Sequence, residues 1–245
     1  MLTGYFMQNF ARYCFAITLL LAFNASASVV MTGTRIIYPS SAKEKTLQFT
    51  NTDAVPYLMQ VTLTLNEESD VTGKENQATP FIVSPAIFRI EAHSGQSVRL
   101  NWIGGQRPAD RESLFYLTFH QIPATSKKES DKNKLVLAVS SKVKLFYRPV
   151  ALGDPRNNPA KNITANINNQ QLILDNPTGY YISIKTISLN AGNNHPALAE
   201  GIMIAPKSTL TLSGKNLSAT KKGQQIKIIT INDYGTESIT ETELN

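Results

Sequence analysis

The chain alternates. In "YLMQVTLTL" the apolar positions Tyr57, Met59, Val61, Leu63 and Leu65 fall on one parity. "LQF" places Leu47 and Phe49 on one face, and "SVRLNW" does the same with Val98, Leu100 and Trp102. In "LFYLTF", Phe115, Leu117 and Phe119 share one face, and Leu114 and Tyr116 the other. Period-two alternation broken by polar turns ("NTD" from Asn51, "HSGQ" from His93, "IGGQRP" from Ile103) predicts the half-buried strands of a sandwich or barrel. Amphipathic helices of ordinary length are not predicted anywhere.

From Leu135 to Arg148 the pattern reads as one long strand with a split character. Leu135, Leu137 and Val139 share a parity, Lys142 and Lys144 follow, and Arg148-Pro149 ends the run. Three prolines then fall in "RPVALGDPRNNP", which predicts a linker or sharp bend rather than regular pairing. Beyond it the strand pattern resumes with "QLIL", the turn "DNPTG" and "YYISIKTISL". In that last run Ile182 and Ile184 share one parity and Ile187 and Leu189 the other, so a bulge is expected near Lys185-Thr186. "IMIAP", "TLTL" and "IKIITIND" supply further strands. The spacing predicts an all-β chain of two consecutive domains, 28–150 and 151–245.

The opening residues read as a leader. Arg12 precedes the apolar run Cys14–Phe23, and Ala25-Ser26-Ala27 offers the small residues that a signal peptidase reads, so residues 1–27 are expected to be removed after Ala27. The run of about 10 apolar residues is too short for a span, which needs about 20. The sole cysteine, Cys14, lies in this leader, so the mature chain is expected to hold neither a disulfide framework nor a cysteine metal site. About 218 remaining residues suffice for two cores that fold without cross-links.

Composition adds little chemistry. The net charge of +6 is that of a solvated basic surface, and Lys127-Lys128 and Lys221-Lys222 sit in polar loops without a nucleic-acid signature, so a nucleic-acid partner is not expected. His93, His120 and His195 lack ligand spacing, and neither a metal nor another cofactor is implied. Nucleophile elbows and phosphate-binding loops are absent, and pairing Asp110 with Glu112 as acid and base would rest on proximity alone. No enzyme is expected.

Five stretches occur in one order: "TRIIYP" (Thr34–Pro39), "DRESLFY" (Asp110–Tyr116), "KVKLFYRP" (Lys142–Pro149), "NPTGYYISI" (Asn176–Ile184) and "INDYG" (Ile231–Gly235). Over residues 29 to 236 the chain thereby resembles the periplasmic chaperones of the chaperone–usher pathway, which escort pilus subunits in Gram-negative bacteria. The short polar "QIPATSKKESDKNK" resembles the short-loop branch of that family. The resemblance implies two immunoglobulin-like β-sandwiches joined at an angle, location in the periplasm, and two partners, pilus subunits and an outer-membrane usher. It implies donor-strand complementation, in which residues 135 to 143 fill the open groove of a subunit with Leu135, Leu137 and Val139. It also implies that Arg35 and Lys144 hold the subunit's C-terminal carboxylate, while Lys142 stays solvated. Glu112, Arg148 and Asp233 would form an ionic network that sets the angle between domains. A self-capping dimer is one state open to the free protein, because exposed strands invite pairing. The rival reading is a secreted adhesin or binding module with two immunoglobulin-like domains, which would need no carboxylate anchor.

Overall fold

The computed structural model describes residues 28–65, 79–124, 135, 137–155, 158–190, 197–218 and 220–245. Residues 1–27, expected to be a leader, and His195 lie outside the described residues. Among the described residues all regular structure is strand apart from short 3-10 turns such as Val150–Leu152 and Pro159–Asn162.

Two sheets face each other in the first half. One runs β1 (Val29–Met31), β3 (Lys45–Asn51), β7 (Gly95–Trp102), β5 (Phe81–Ser84). The other runs β2 (Arg35–Pro39), β9 (Val139–Arg148), β8 (Ser113–Pro123), β4 (Tyr57–Thr64), β6 (Ile87–Ile90). The ladders are antiparallel except β2 with β9, which is parallel and sets Arg35 opposite Lys144. Alternation builds the core directly: Leu47 and Phe49 of β3 and Met59 and Val61 of β4 point inward against Leu100, Phe115 and Leu117. Tyr38, Phe81 and Phe115 pack edge to face, with ring centroids 5.1 Å apart at both contacts with Phe81. β8, at the centre of its sheet between β4 and β9, is buried at every position from Phe115 to Gln121.

The second half repeats the plan with a separate core. β10 (Thr164–Asn168), β11 (Gln171–Asn176) and β14 (Ser208–Ser213) form one sheet. β13 (Ala197–Ile204), β12 (Ile182–Leu189), β15 (Gln225–Ile231) and β16 (Glu237–Glu243) form the other. The expected bulge is present: the β12–β15 ladder skips from Ile184 to Thr186. Skipping Lys185 lets Ile182, Ile184 and Ile187 all reach the core despite their opposite parities.

One expectation differs. The run from Leu135 does not form a single strand: β9 begins at Val139, and Leu135, Leu137 and Ala138 precede it, exposed. The ladder with β8 ends at Gln121 opposite Val139. Continued by two residues it would set Leu137 against Pro123, which has no N–H to contribute and is poorly suited to an interior ladder.

Candidate functional site

Two turns of the second domain reach the first. In the turn after β11, the buried Asn176 side chain donates to Tyr180 O at 2.8 Å and Ala205 O at 2.9 Å, and accepts from Thr178 N–H at 3.1 Å. This fixes Gly179 against the first domain, where its carbonyl accepts the Glu112 N–H at 2.8 Å. A β-carbon at Gly179 would lie 2.5 Å from Leu152 Cδ2 and 2.7 Å from Asp110 O, so only glycine fits. The hairpin turn between β15 and β16 is organised by Asn232, whose Oδ1 accepts from Tyr234 N–H at 3.0 Å and Thr236 N–H at 3.1 Å. Gly235 completes it at φ 81°, 2.6 Å from Thr34 Oγ1 if it carried a β-carbon. That turn delivers Asp233.

Glu112, Arg148 and Asp233 meet at the joint. Arg148 Nε donates to Glu112 Oε1 at 2.7 Å. Its Nη1 and Nη2 donate to Asp233 Oδ2 and Oδ1 at 2.7 and 3.0 Å, a bidentate fork. Glu112 Oε2 accepts the Tyr181 N–H at 2.8 Å. The Arg148 guanidinium also stands 5.2 Å from the Tyr180 ring centre. The Arg148 and Glu112 side chains are 9% and 2% exposed, so every charge here depends on its partners. Burial raises the Glu112 pKa above the ordinary carboxylate value, and Arg148 and the Tyr181 N–H only partly counter it. Burial also opposes the Arg148 charge, but the Asp233 hydrogen bonds and the two carboxylates outweigh it and hold the guanidinium protonated. Glu112 is thereby committed, and Asp110 faces solvent, where Lys207 and then Arg111 hold its carboxyl down to about 2. These two carboxylates do not converge on a common site.

Arg35 and Lys144 are brought together as register partners on β2 and β9. Lys144 is half-buried and Lys142 exposed. Arg35 Nη1 donates to Ile231 O at 2.8 Å, across the joint. Among the described residues its buried Nε has no hydrogen-bond partner, and neither has Ser183 Oγ. Desolvation lowers the Arg35 pKa and the Asp233 charge raises it in part. Both unpartnered groups line a cavity of about 340 Å³ between the domains, with Arg148, Asp233, Tyr181 and Tyr234 in its wall. A half-buried arginine with a buried, unused donor atom is suited to an anionic or carbonyl-bearing guest.

At the far end of β9 the apolar row is bare: Leu135 is 85%, Leu137 68% and Val139 48% exposed. Phe146, on the other parity, instead packs on Tyr181 of the second domain, ring centroids 5.7 Å apart. Among the described residues no group of histidine and carboxylate side chains could hold a metal. No helix among them is long and apolar enough to cross a membrane. Sequence reasoning missed Gly179, Asn176 and Lys207. "NPTG" signalled a turn, but nothing in it signalled that the turn abuts another domain.

Residues 28–153 match the profile described as pili and flagellar-assembly chaperone, PapD N-terminal domain, and residues 158–242 match pili assembly chaperone PapD, C-terminal domain. The chain belongs to this family of pilus-assembly chaperones. The chaperone is 36% identical over 230 residues to chaperone protein MrkB of Klebsiella pneumoniae, covering 92% of this chain and 94% of that one. It is 33% identical to chaperone protein FimC of Escherichia coli K12, covering 89% and 84%. Among solved structures it resembles the Pseudomonas aeruginosa CupB2 chaperone, with a TM-score of 0.73, 27% identity, and coverage of 88% of this chain and all of that one. It also resembles a chain of the Salmonella enterica SafA pilin–SafB chaperone complex, with a TM-score of 0.74, 26% identity and coverage of 89% and 96%. The fold is therefore the two-domain immunoglobulin-like sandwich, and the activity is that of an assembly chaperone.

Proposed function

We propose that this chaperone caps a pilus subunit by donor-strand complementation and passes it to an outer-membrane usher in the periplasm. The observation that carries the reading is the layout of one strand and its approach. Bare Leu135, Leu137 and Val139 stand at one end, and Lys144, beside Arg35, stands toward the other. The residues of 135 to 143 supply the missing strand of the subunit, with the apolar row in its groove, where each large aliphatic contributes about 1.5–3 kcal/mol by burial. Arg35 and Lys144 take the subunit's terminal carboxylate and set register, since alternation alone permits slips of two residues. The division into domains at 150/151 and removal of residues 1–27 belong to the same reading. So does a self-capping dimer through the bare row when no subunit is present.

The test is co-expression with a candidate subunit. Leu137→Glu places a charge in the subunit core and should abolish recovery of the complex, while the chaperone alone remains folded by circular dichroism. Unchanged recovery would overturn the reading. Loss of folding in the free variant would assign the row to the chaperone's own core.

A further inference from the structure

Gln121 makes contacts that an alternating strand does not call for. Its side chain, 3% exposed, reaches from β8 in one sheet to the outer edge of β1 in the other. Oε1 accepts the Val29 N–H at 2.9 Å, and Nε2 donates to Val29 O at 2.9 Å. The carboxamide thus satisfies both main-chain polar groups of one residue, as a neighbouring strand would. Oε1 also accepts from Ser28 Oγ at 2.7 Å. Meanwhile the Gln121 main chain forms the last pair of the β8–β9 ladder, opposite Val139. Two residues on, Pro123 stays paired to Tyr57 of β4 but has no partner on β9. On the opposite face of β8, His120 Nδ1 and Ser140 Oγ share a hydrogen bond of 2.6 Å, the neighbouring cross-strand link.

We propose that Gln121 is a positioning residue for the donated strand: by locking β8 to β1 where β9 leaves the sheet, it makes Val139 the one member of the apolar row held in the chaperone's own ladder and Leu137 the first that stands clear of it. This rests on the donor-strand reading above. The mechanical sense is simple. A strand end frays when its neighbour moves, and a neighbour tied through its side chain to a second sheet does not move. Without the tie the fray would run inward from Val139 toward Lys144, and the apolar row would lose its fixed distance from the carboxylate anchor.

The experiment measures main-chain hydrogen exchange in the free mature chain, corrected for intrinsic rates, at about pH 5 and about pH 8. A carboxylate at this position accepts from Val29 N–H and Ser28 Oγ but cannot donate to Val29 O. A protonated carboxyl can, and burial favours that form. Gln121→Glu should therefore lower protection across Val139–Lys142 about tenfold at the higher pH and restore it at the lower. Gln121→Leu should lose it at both, and Leu145–Arg148 should be unaffected in either variant. The titratable groups near the Ser28 end are Asp53 and Tyr57, joined at 2.8 Å, and, in a chain cut after Ala27, the Ser28 α-amino group, which ionises between the two pH values. His120 and Lys142 lie on the other face. Wild type at the same two pH values accounts for the first four groups, and a chain that keeps one residue before Ser28, and so has no amine there, accounts for the fifth. Unchanged protection at Val139–Lys142 in both variants overturns the proposal. So does an equal fall along the whole of β9 with no recovery at low pH, because that is the signature of a residue that only stabilises the fold. Neither result depends on a subunit, so failure here is separable from failure of Leu137→Glu to abolish the complex.

Discussion

Arg148 and Asp233 lie 85 residues apart in sequence and meet through two parallel hydrogen bonds of 2.7 and 3.0 Å across the domain joint. Arg148 ends the last strand of the first domain and Asp233 sits in a hairpin turn of the second, so this fork helps fasten the two domains together. Asp233→Asn can accept from only one arm of the fork and removes a charge. A loss of about 1.5–3 kcal/mol is expected, with a wider angle between domains. Glu112→Ala, which strips the more buried partner, should cost about 3–5 kcal/mol. Thermal melting and small-angle scattering check both. An unchanged melt with an unchanged envelope would mean that the network does not hold the joint.

Gly179→Ala should act on the same joint by crowding. The added carbon meets Leu152 Cδ2 at 2.5 Å and a backbone oxygen, Asp110 O, at 2.7 Å, and the backbone cannot yield as a side chain would. A loss of about 1–3 kcal/mol and separation of the domains are expected. Gly214→Ala, where nothing lies within 4 Å, is the control and should leave both unchanged.

Two carboxylates only two residues apart should titrate with opposite sign. The Asp110 carboxyl is held down to about 2 by Lys207 and Arg111. Its contribution is present above the ordinary aspartate pKa and is lost as pH falls toward about 2. The Glu112 pKa is raised by burial, so its contribution is present below the ordinary glutamate pKa and is lost as pH rises through the raised value. Urea titrations of wild type and Asp110→Asn should differ at neutral pH and converge under acid. A gap that persists at pH about 2 would exclude the Lys207 contact as its source. The gap should be small, because the pair is exposed.

Arg35→Ala and Lys144→Ala should each reduce recovery of a co-expressed subunit sharply while the chaperone stays folded, a loss of about 1.5–3 kcal/mol of binding each. Arg35→Lys should not rescue fully, because a point charge cannot both reach Ile231 O and offer a fork to a guest. Lys142→Ala, on the exposed part of β9, should have a smaller effect. Equal yields for wild type and Lys144→Ala would remove the anchor.

Alternation made the strands and both cores legible, down to the bulge at Lys185, because a buried side chain must obey the pleat whatever its partners are. The joint was legible only through motif resemblance. Nothing local tells Glu112 from Asp110, yet one is buried against Arg148 and the other lies on the surface. The start of β9 departs from its sequence pattern for a reason of the same kind. Leu135 and Leu137 have strand character, but pairing depends on the neighbour, and Pro123 is about a dozen residues upstream of both. Gln121 looked like any polar strand residue, since a side chain that imitates a strand leaves no periodic trace.

The β8–β9 ladder runs antiparallel from Ser113 opposite Tyr147 to Gln121 opposite Val139, and β2 flanks β9 on its other side from Arg35 to Pro39. A pull on Leu137 along the strand axis would therefore load those rungs side by side, in shear, with Arg148 clamped at the end. A pull across the sheet would instead open them singly from Val139. The protein should resist extraction of its own strand far better in the first direction than in the second.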